Sequence, residues 1–355
     1  MQKDSMLTAG LDIGDRHTKV CVVDREGESV VVVEEARIQT RQAHIRRYFE
    51  SRSPMVVAME VGTHSPWMSR LIKECGHEVI VANARKLRFV YENERKSDDA
   101  DAEAIARVAR MDRTLLHPLE HRPEVDASAM ALLRSRDALV RTRTALINHV
   151  RGTVKSNGAR MPSGSASRFH RHVDELPEAL ASSLGPVMAT IEGVNERIGE
   201  LDREIERVSR ESYPETQLLR QVPGVGPIIA LLFVLVIADP ERFRHARSVG
   251  PYLGMVPRRD QSGDNDPQLR IAKTGNPYLR RLLVNAAHYI LGPFGPDTDL
   301  RRHGLKIAER GGKRAKKRAA IAVGRKLAVV MLTMLKTGAS YEPLRKNNTK
   351  AGAAA

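Results

Sequence analysis

Four acidic residues in the first third of the chain have the types and positions needed to hold divalent cations. Asp12 stands in Gly10-Leu11-Asp12-Ile13-Gly14, a stretch that reads as a first strand. A carboxylate buried among apolar strand residues is costly unless something pairs with it. Glu60 closes the apolar run 55–59 and so falls at the C-terminal tip of another strand. Asp98 and Asp101 are spaced i,i+3 at the start of a predicted helix, which puts them on one helical face. A pair of Mg²⁺ ions roughly 3.5–4 Å apart needs hard oxygen ligands drawn from several elements to one point. Asp98 and Asp99 can equally serve as cap and dipole residues, and Asp12 alone can be a turn-side acid before Gly14. The conjunction of all four, in chain order, points to Mg²⁺ or Mn²⁺. Asp15, Asp99 and Glu103 are read as non-ligands, because they face away or fall outside the i,i+3 pair.

Further along, Ser262 lies in Gly254-Met255-Val256-Pro257-Arg258-Arg259-Asp260-Gln261-Ser262-Gly263. A serine hydroxyl is a weak nucleophile unless a base or metal takes its proton, and no histidine is near it in sequence. On its own it reads as a loop hydroxyl. Around it are Arg258, Arg259, Arg270, Lys273, Arg280 and Arg281, a set suited to phosphate oxygens. Pro223-Gly224-Val225-Gly226 reads as a helix–hairpin–helix turn, with Gly224 and Gly226 letting backbone N–H groups approach a DNA phosphate. An ordinary tight turn between helices would look the same. The segment 306–326 carries nine basic residues against Glu309, among them Lys313, Arg314, Lys316, Lys317 and Arg318.

The elements that must position these groups change character along the chain. Residues 7–24 alternate apolar and polar around Gly14-Asp15-Arg16, and a third β-rich run follows at 30–33. A helix near 40–50, strand 55–59, helix 65–75, strand 78–81 and helix 98–111 complete a mixed α/β sheet domain over 1–112. From 125 to 212 the pattern is helical. Val187, Ile191, Val194, Ile198, Leu201, Ile205 and Val208 form a heptad seam, which suits a helical hairpin within the chain, a dimerising coiled-coil arm, or both. The expected division is an arm over 113–215, a mainly α-helical domain over 216–340 and a disordered tail over 341–355.

Of the 355 residues, 58 are Lys or Arg and 43 Asp or Glu, a formal charge of +15. The pI of about 10.1 implies a polyanionic partner, nucleic acid before an anionic membrane. The excess is uneven. Residues 1–112 hold 18 basic and 19 acidic residues, whereas 113–355 hold 40 and 24. Phosphate neutralisation is therefore expected from the helical parts. Cys21 and Cys75 are far apart, which excludes a disulfide framework and suits a reducing cytoplasm. There is no signal-peptide pattern at the start. The longest apolar run, 228–238, is about half of the roughly 20 residues a membrane span needs. The expectation is a cytoplasmic, nucleoid-associated protein.

Together these strings resemble the DEDD transposases of bacterial insertion sequences, the IS110 family. The resemblance rests on Gly10-Leu11-Asp12-Ile13, Met59-Glu60, Lys96-Ser97-Asp98-Asp99-Ala100-Asp101-Ala102, Pro223-Gly224-Val225-Gly226-Pro227, Gln261-Ser262-Gly263 and Lys273-Thr274-Gly275-Asn276-Pro277-Tyr278-Leu279-Arg280, over roughly 7–340. It implies a RuvC-like RNase H-fold domain, a coiled-coil linker and a transposase domain. It makes Asp12, Glu60, Asp98 and Asp101 the acids that hold Mg²⁺, and Ser262 the nucleophile. Ser97 stands where threonine is usual and Thr274 where a basic residue is common; neither is a reacting group. The resemblance further implies serine attack on DNA phosphodiesters, a structured bridge RNA that pairs with donor and target DNA, and homodimers that assemble into a tetramer on DNA, one chain's serine working with another's acids. Two alternatives stay open. One is a RuvC-like junction-resolving nuclease that uses water, and the other a non-catalytic nucleic-acid-binding scaffold.

Overall fold

Five strands pair into one mixed sheet in the order β3-β2-β1-β4-β5. In the computed structural model, which describes residues 6–83, 98–261, 267 and 269–344, the strands are β1 (Thr8–Ile13), β2 (His17–Glu26), β3 (Ser29–Gln39), β4 (Val56–Glu60) and β5 (Glu78–Ala82). The side chains of Asp98 and Asp99 lie outside the described set. The chain divides into two compact units, Met1–Pro123 and Glu124–Ala355.

In the first unit β1, β2 and β3 are antiparallel, joined by tight turns, and Gly27 at φ +60° makes the second turn. β4 and β5 run parallel to β1, each reached through a helical crossover. These crossovers are α1 (Gln42–Glu50) and α2 (Ser65–Glu74). They cover one sheet face, where Ala9, Leu11, Val57 and Met59 meet Ile45, Phe49, Met68 and Ile72. The opposite face takes α3 (Asp98–Met111), whose Ile105 and Ala109 pack on Val56, Ala58 and Ile80, and whose Ala102 and Ala106 pack on Cys21 and Val23. Alternation thus sorts the residues of β1, β2, β4 and β5 between two covered faces, whereas β3, at the sheet edge, leaves Val32 and Val33 exposed.

The second unit is helical. The long helices α4 (Glu124–Ser156) and α5 (Glu178–Glu211) form a hairpin within the chain. At its tip Ile147, Val150 and Val154 meet Phe169, Leu184, Met188 and Ile191. Of the heptad seam, Ile191, Ile198 and Ile205 are buried, whereas Val187, Val194, Leu201 and Val208 are only half-buried. Polar ties hold the middle instead: Arg136 pairs with Asp202, and Arg143 Nη1 donates to Asn195 Oδ1 at 2.8 Å.

The hairpin's base joins a larger core. Ala129, Leu133 and Ile205 pack with α6 (Glu215–Leu219), α7 (Pro227–Ile237), α8 (Val249–Tyr252), α9 (Pro277–Leu291), α10 (Asp299–Ala308) and α11 (Gly312–Thr337). Helix α7 is apolar all round and almost wholly buried, as such a helix must be. Among the described residues no helix is long and apolar enough to cross a membrane.

Candidate functional site

The first candidate site is built by β1, β4 and α3. Gly10 and Ala58 are Cα partners across the parallel β1–β4 pair, and both belong to the face that α3 covers. Asp12 and Glu60, two residues on along each strand, therefore point to that same face. Each stands at or next to the C-terminal end of its strand, and each is half-buried. A Cβ on Gly10 would come within 2.1 Å of the Ala102 carbonyl oxygen and 2.5 Å of the Ala106 nitrogen, so only glycine lets the helix backbone lie this close.

The direction of α3 follows from its other end. Arg110 Nη1 donates to the Met6 carbonyl ahead of β1, so the helix runs antiparallel to that strand. Its first turn, with Asp98 and Asp101, is thereby directed toward the Asp12 end of β1. Two strand-end carboxylates and the first turn of the overlying helix thus share one end of one face.

The neighbouring acids have other work. Asp15 Oδ1 is 3.1 Å from His64 Nε2, and Glu103 pairs with Arg107 at 2.7 Å. Lys19 is a group that reasoning from sequence passed over. It is the Cα partner of Asp12 across β1–β2, and alternation from Cys21 puts it on the α3 face too. The hairpin turn at Gly14-Asp15-Arg16 held that signal, because a tight turn fixes the register.

The acids suit a hard divalent cation in donor chemistry, being carboxylates delivered from separate elements to one face. Among the described residues, no three His, Cys, Asp or Glu side chains stand close enough together to hold a metal ion. Asp98, the fourth expected ligand, has its side chain outside that set.

The second candidate site lies in the helical unit. The segments 254–258 and 270–273 pair as a short antiparallel ribbon: Arg258 N donates to Arg270 O at 2.8 Å, Ala272 N to Val256 O at 2.8 Å, and Lys273 N to Gly254 O at 3.0 Å. Ser262 falls between these arms in sequence and lies outside the described residues. The ribbon's base is a close crossing of backbones. A Cβ on Gly254 would strike Thr274 N at 2.3 Å, and one on Gly275 would strike Tyr252 O at 2.2 Å. Asn276 then caps α9, its Oδ1 accepting from the N–H groups of Tyr278 and Leu279.

The basic residues expected around this loop divide in two. Arg258, Arg259, Arg270 and Lys273 are exposed. Arg280 and Arg281 are tied to the fold. Arg280 Nη1 donates to Leu253 O at 2.9 Å and Thr274 O at 2.7 Å, and burial pulls its guanidinium below the usual arginine range. Arg281 pairs with the buried carboxylate of Asp137 on α4, which also takes Arg141. On α11, Lys313, Arg314, Lys316, Lys317 and Arg318 are all exposed. Gly224 has φ +82°, and a Cβ there would meet Tyr289 Cδ1 at 3.1 Å and Ala286 O at 3.2 Å, so this glycine seats the turn against α9. Gly226 caps α7 with open space around it.

Two transposase family models match the chain. A DEDD-type model for IS110 elements covers residues 9–157, and one described as the IS116/IS110/IS902 transposase family covers 216–298. The transposase for insertion sequence element IS1111A of Coxiella burnetii is 30% identical over 344 residues, 94% of this chain and 90% of that protein. The chain belongs to the IS110 family of transposases. A probable family 20 transposase of Pseudomonas aeruginosa is 29% identical, over 94% of this chain and 98% of its own. Among solved structures, Thermus thermophilus RuvC matches 30% of this chain and 97% of its own, at 21% identity and a TM-score of 0.24, too slight a likeness to bear on the fold. As an IS110-family transposase the protein acts on DNA, whose strands must be cut and rejoined for an element to move.

Proposed function

We propose that this transposase excises and inserts its element as an RNA-guided serine recombinase. The observation that carries the acidic half is the shared face of Asp12 and Glu60 under the first turn of α3. An antiparallel β1-β2-β3 ribbon extended by parallel β4 and β5 supports assigning this unit to the RuvC-like RNase H type.

Asp12 and Glu60, with Asp98 and Asp101 from α3, are the residues that would hold Mg²⁺ or Mn²⁺. Bound there, the metal would supply positive charge to a phosphoryl group as it becomes pentacoordinate. Ser262 Oγ attacks the DNA phosphorus, loses its proton and forms an Oγ–P bond as the P–O3′ bond breaks. The products are a phosphoserine link to the 5′ side and a protonated 3′-hydroxyl. Strand exchange reverses the step: a 3′-hydroxyl from the new partner attacks and the serine leaves. Arg258, Arg259, Arg270 and Lys273 orient phosphate oxygens beside the loop.

The α4–α5 hairpin, within an arm over 113–215, serves as the surface on which copies pair, two on the way to four on DNA. Residues 216–340 form the transposase domain. Target choice is delegated to a structured RNA that pairs with both DNA partners, while the protein reads backbone and shape.

An excision and insertion assay with cognate RNA and DNA tests this. Asp12→Ala and Ser262→Ala should each abolish both events, with fold and DNA binding retained. A Ser262→Ala variant that still cuts DNA would instead mean that water is the nucleophile, as in a junction-resolving nuclease.

A further inference from the structure

The helical unit contains two arginine-lined clefts that differ in one respect. The first, about 500 Å³, lies where α5 meets α4 and the start of α7. Three of its four arginines are in ion pairs, Arg136 with Asp202, Arg207 with Glu204 and Glu211, and Arg210 with Glu211, and the carboxylates of Asp202 and Glu206 line the cleft beside Arg203. The second, about 910 Å³, lies between the segment running into α8 and the C-terminal half of α11. Arg244, His245 and Arg247 line one wall; Arg325 and Lys336 line the other. Among the described residues no carboxylate lines it. Arg244, Arg247 and Arg325 are exposed and form no ion pair with any described residue. Lys336 alone shares its charge, with Glu241 at 3.4 Å.

The cleft is shaped around these cations. Arg325, Val329, Thr333 and Thr337 follow one another at intervals of four along α11, one stripe of a helix face. A Cβ on Gly250 would fall 2.8 Å from Arg325 Nε and 3.2 Å from its Cγ, so this glycine gives the arginine stem room to lie across α8. The cleft also adjoins the serine ribbon. Pro251 lines it, and the Pro251 carbonyl accepts from Thr274 Oγ1 at 3.5 Å, beside the close crossing of Gly275 and Tyr252.

We infer that this cleft is a second phosphate-backbone site, holding duplex DNA next to the ribbon that carries Ser262. It deepens the proposed function and rests on the protein binding DNA, not on the serine chemistry. Uncompensated cations on both walls select a polyanion. Among the described residues His245 is the single ring on the cleft wall, and a single strand would want a series of rings on which to stack successive bases. The backbone of a double helix needs none.

The test is DNA binding by the full-length protein carrying Arg244→Gln, Arg247→Gln and Arg325→Gln, followed by fluorescence anisotropy across a salt series. Each lost phosphate contact should lower the log–log salt slope by about 0.9, so the triple variant should lose roughly 2–3 from the slope and bind duplex about 10-fold or more weakly at low salt. Arg207→Gln, in the neutralised cleft, should bind like wild type. The three arginines are exposed, so circular dichroism should match wild type; if it does not, Arg247→Gln alone must still lower the slope by about 0.9. An unchanged slope and affinity for duplex overturns the inference, as does a loss confined to structured RNA. Ser262→Ala in the same assay should keep the full slope. Failure of the serine chemistry would therefore be distinguishable from failure of the cleft.

Discussion

Gly10 on β1 faces the Ala102 carbonyl of α3 so closely that a Cβ would stand 2.1 Å from the oxygen. The obstacle is backbone, which cannot swing aside as a side chain would. Gly10→Ala must push the helix off the sheet, and Asp98 and Asp101 move with it. The expected result is a stability loss of about 1–3 kcal/mol by urea denaturation, with DNA cleavage falling further than stability accounts for. Wild-type stability and cleavage in Gly10→Ala would contradict the packing described.

Asp12→Asn and Glu60→Gln remove carboxylate charge with little change in volume. Strand cleavage should fall roughly 100-fold or more in each, the scale on which lost stabilisation of developing charge is felt. Affinity for DNA should hold, because phosphate contacts are assigned to the other unit. Chelation of divalent metal should mimic the substitutions, and added Mg²⁺ or Mn²⁺ should rescue the chelated wild type but neither variant. Parallel cleavage and binding assays read both effects.

Asp137 is buried on α4 and accepts from Arg141 and Arg281, the latter on α9. Asp137→Ala should cost about 1.5–3 kcal/mol, the range for hydrogen bonds to charged groups. The cost stays moderate because both arginines are partly exposed and return to water. Chemical denaturation of the full chain measures it, and Arg281→Gln should lose less than the aspartate variant.

The pH dependence turns on His121. Burial first, then the charges of Arg70 and Lys73, hold its imidazole below the usual range, and its buried Nε2 has no hydrogen-bond partner among the described residues. The fold therefore favours the neutral ring over the charged one. Its contribution is present above the ordinary imidazole pKa of about 6.5 and is lost as pH falls from there through the depressed folded value. Melting temperature should drop more between about pH 7.5 and about pH 5 in wild type than in His121→Gln. Equal drops would show that His121 carries none of the linkage.

Much of this site was legible because its signals are local. The apolar run ending at Glu60 and the alanine-faced helix opening at Asp98 mark β4 and α3 directly, and both lie where the pattern placed them. That Asp12 and Glu60 share a face was not legible. It depends on the parallel register Gly10↔Ala58, between strands separated by a hairpin, a third strand and a helix, and no local pattern sets that register. The roles of Arg280 and Arg281 were hidden for the same reason: the partner of Arg281 is Asp137, on a helix far back in the chain. A sequence shows a basic cluster but not which of its members the fold has already engaged. The half-buried row Val187, Val194, Leu201 and Val208 makes the point for helices, since a regular seam does not say which partner covers each row.

A covalent Ser262–DNA species separates serine from water as the nucleophile, and it can be trapped. Full-length protein, cognate RNA and DNA with Mg²⁺ should give a slowly migrating protein–DNA band that resists denaturant, with mass spectrometry placing a phosphodiester remnant on Ser262. The band should vanish in Ser262→Ala and in Asp12→Ala. Cleavage by wild type with no adduct at any time, or an adduct that persists in Ser262→Ala, would contradict the account.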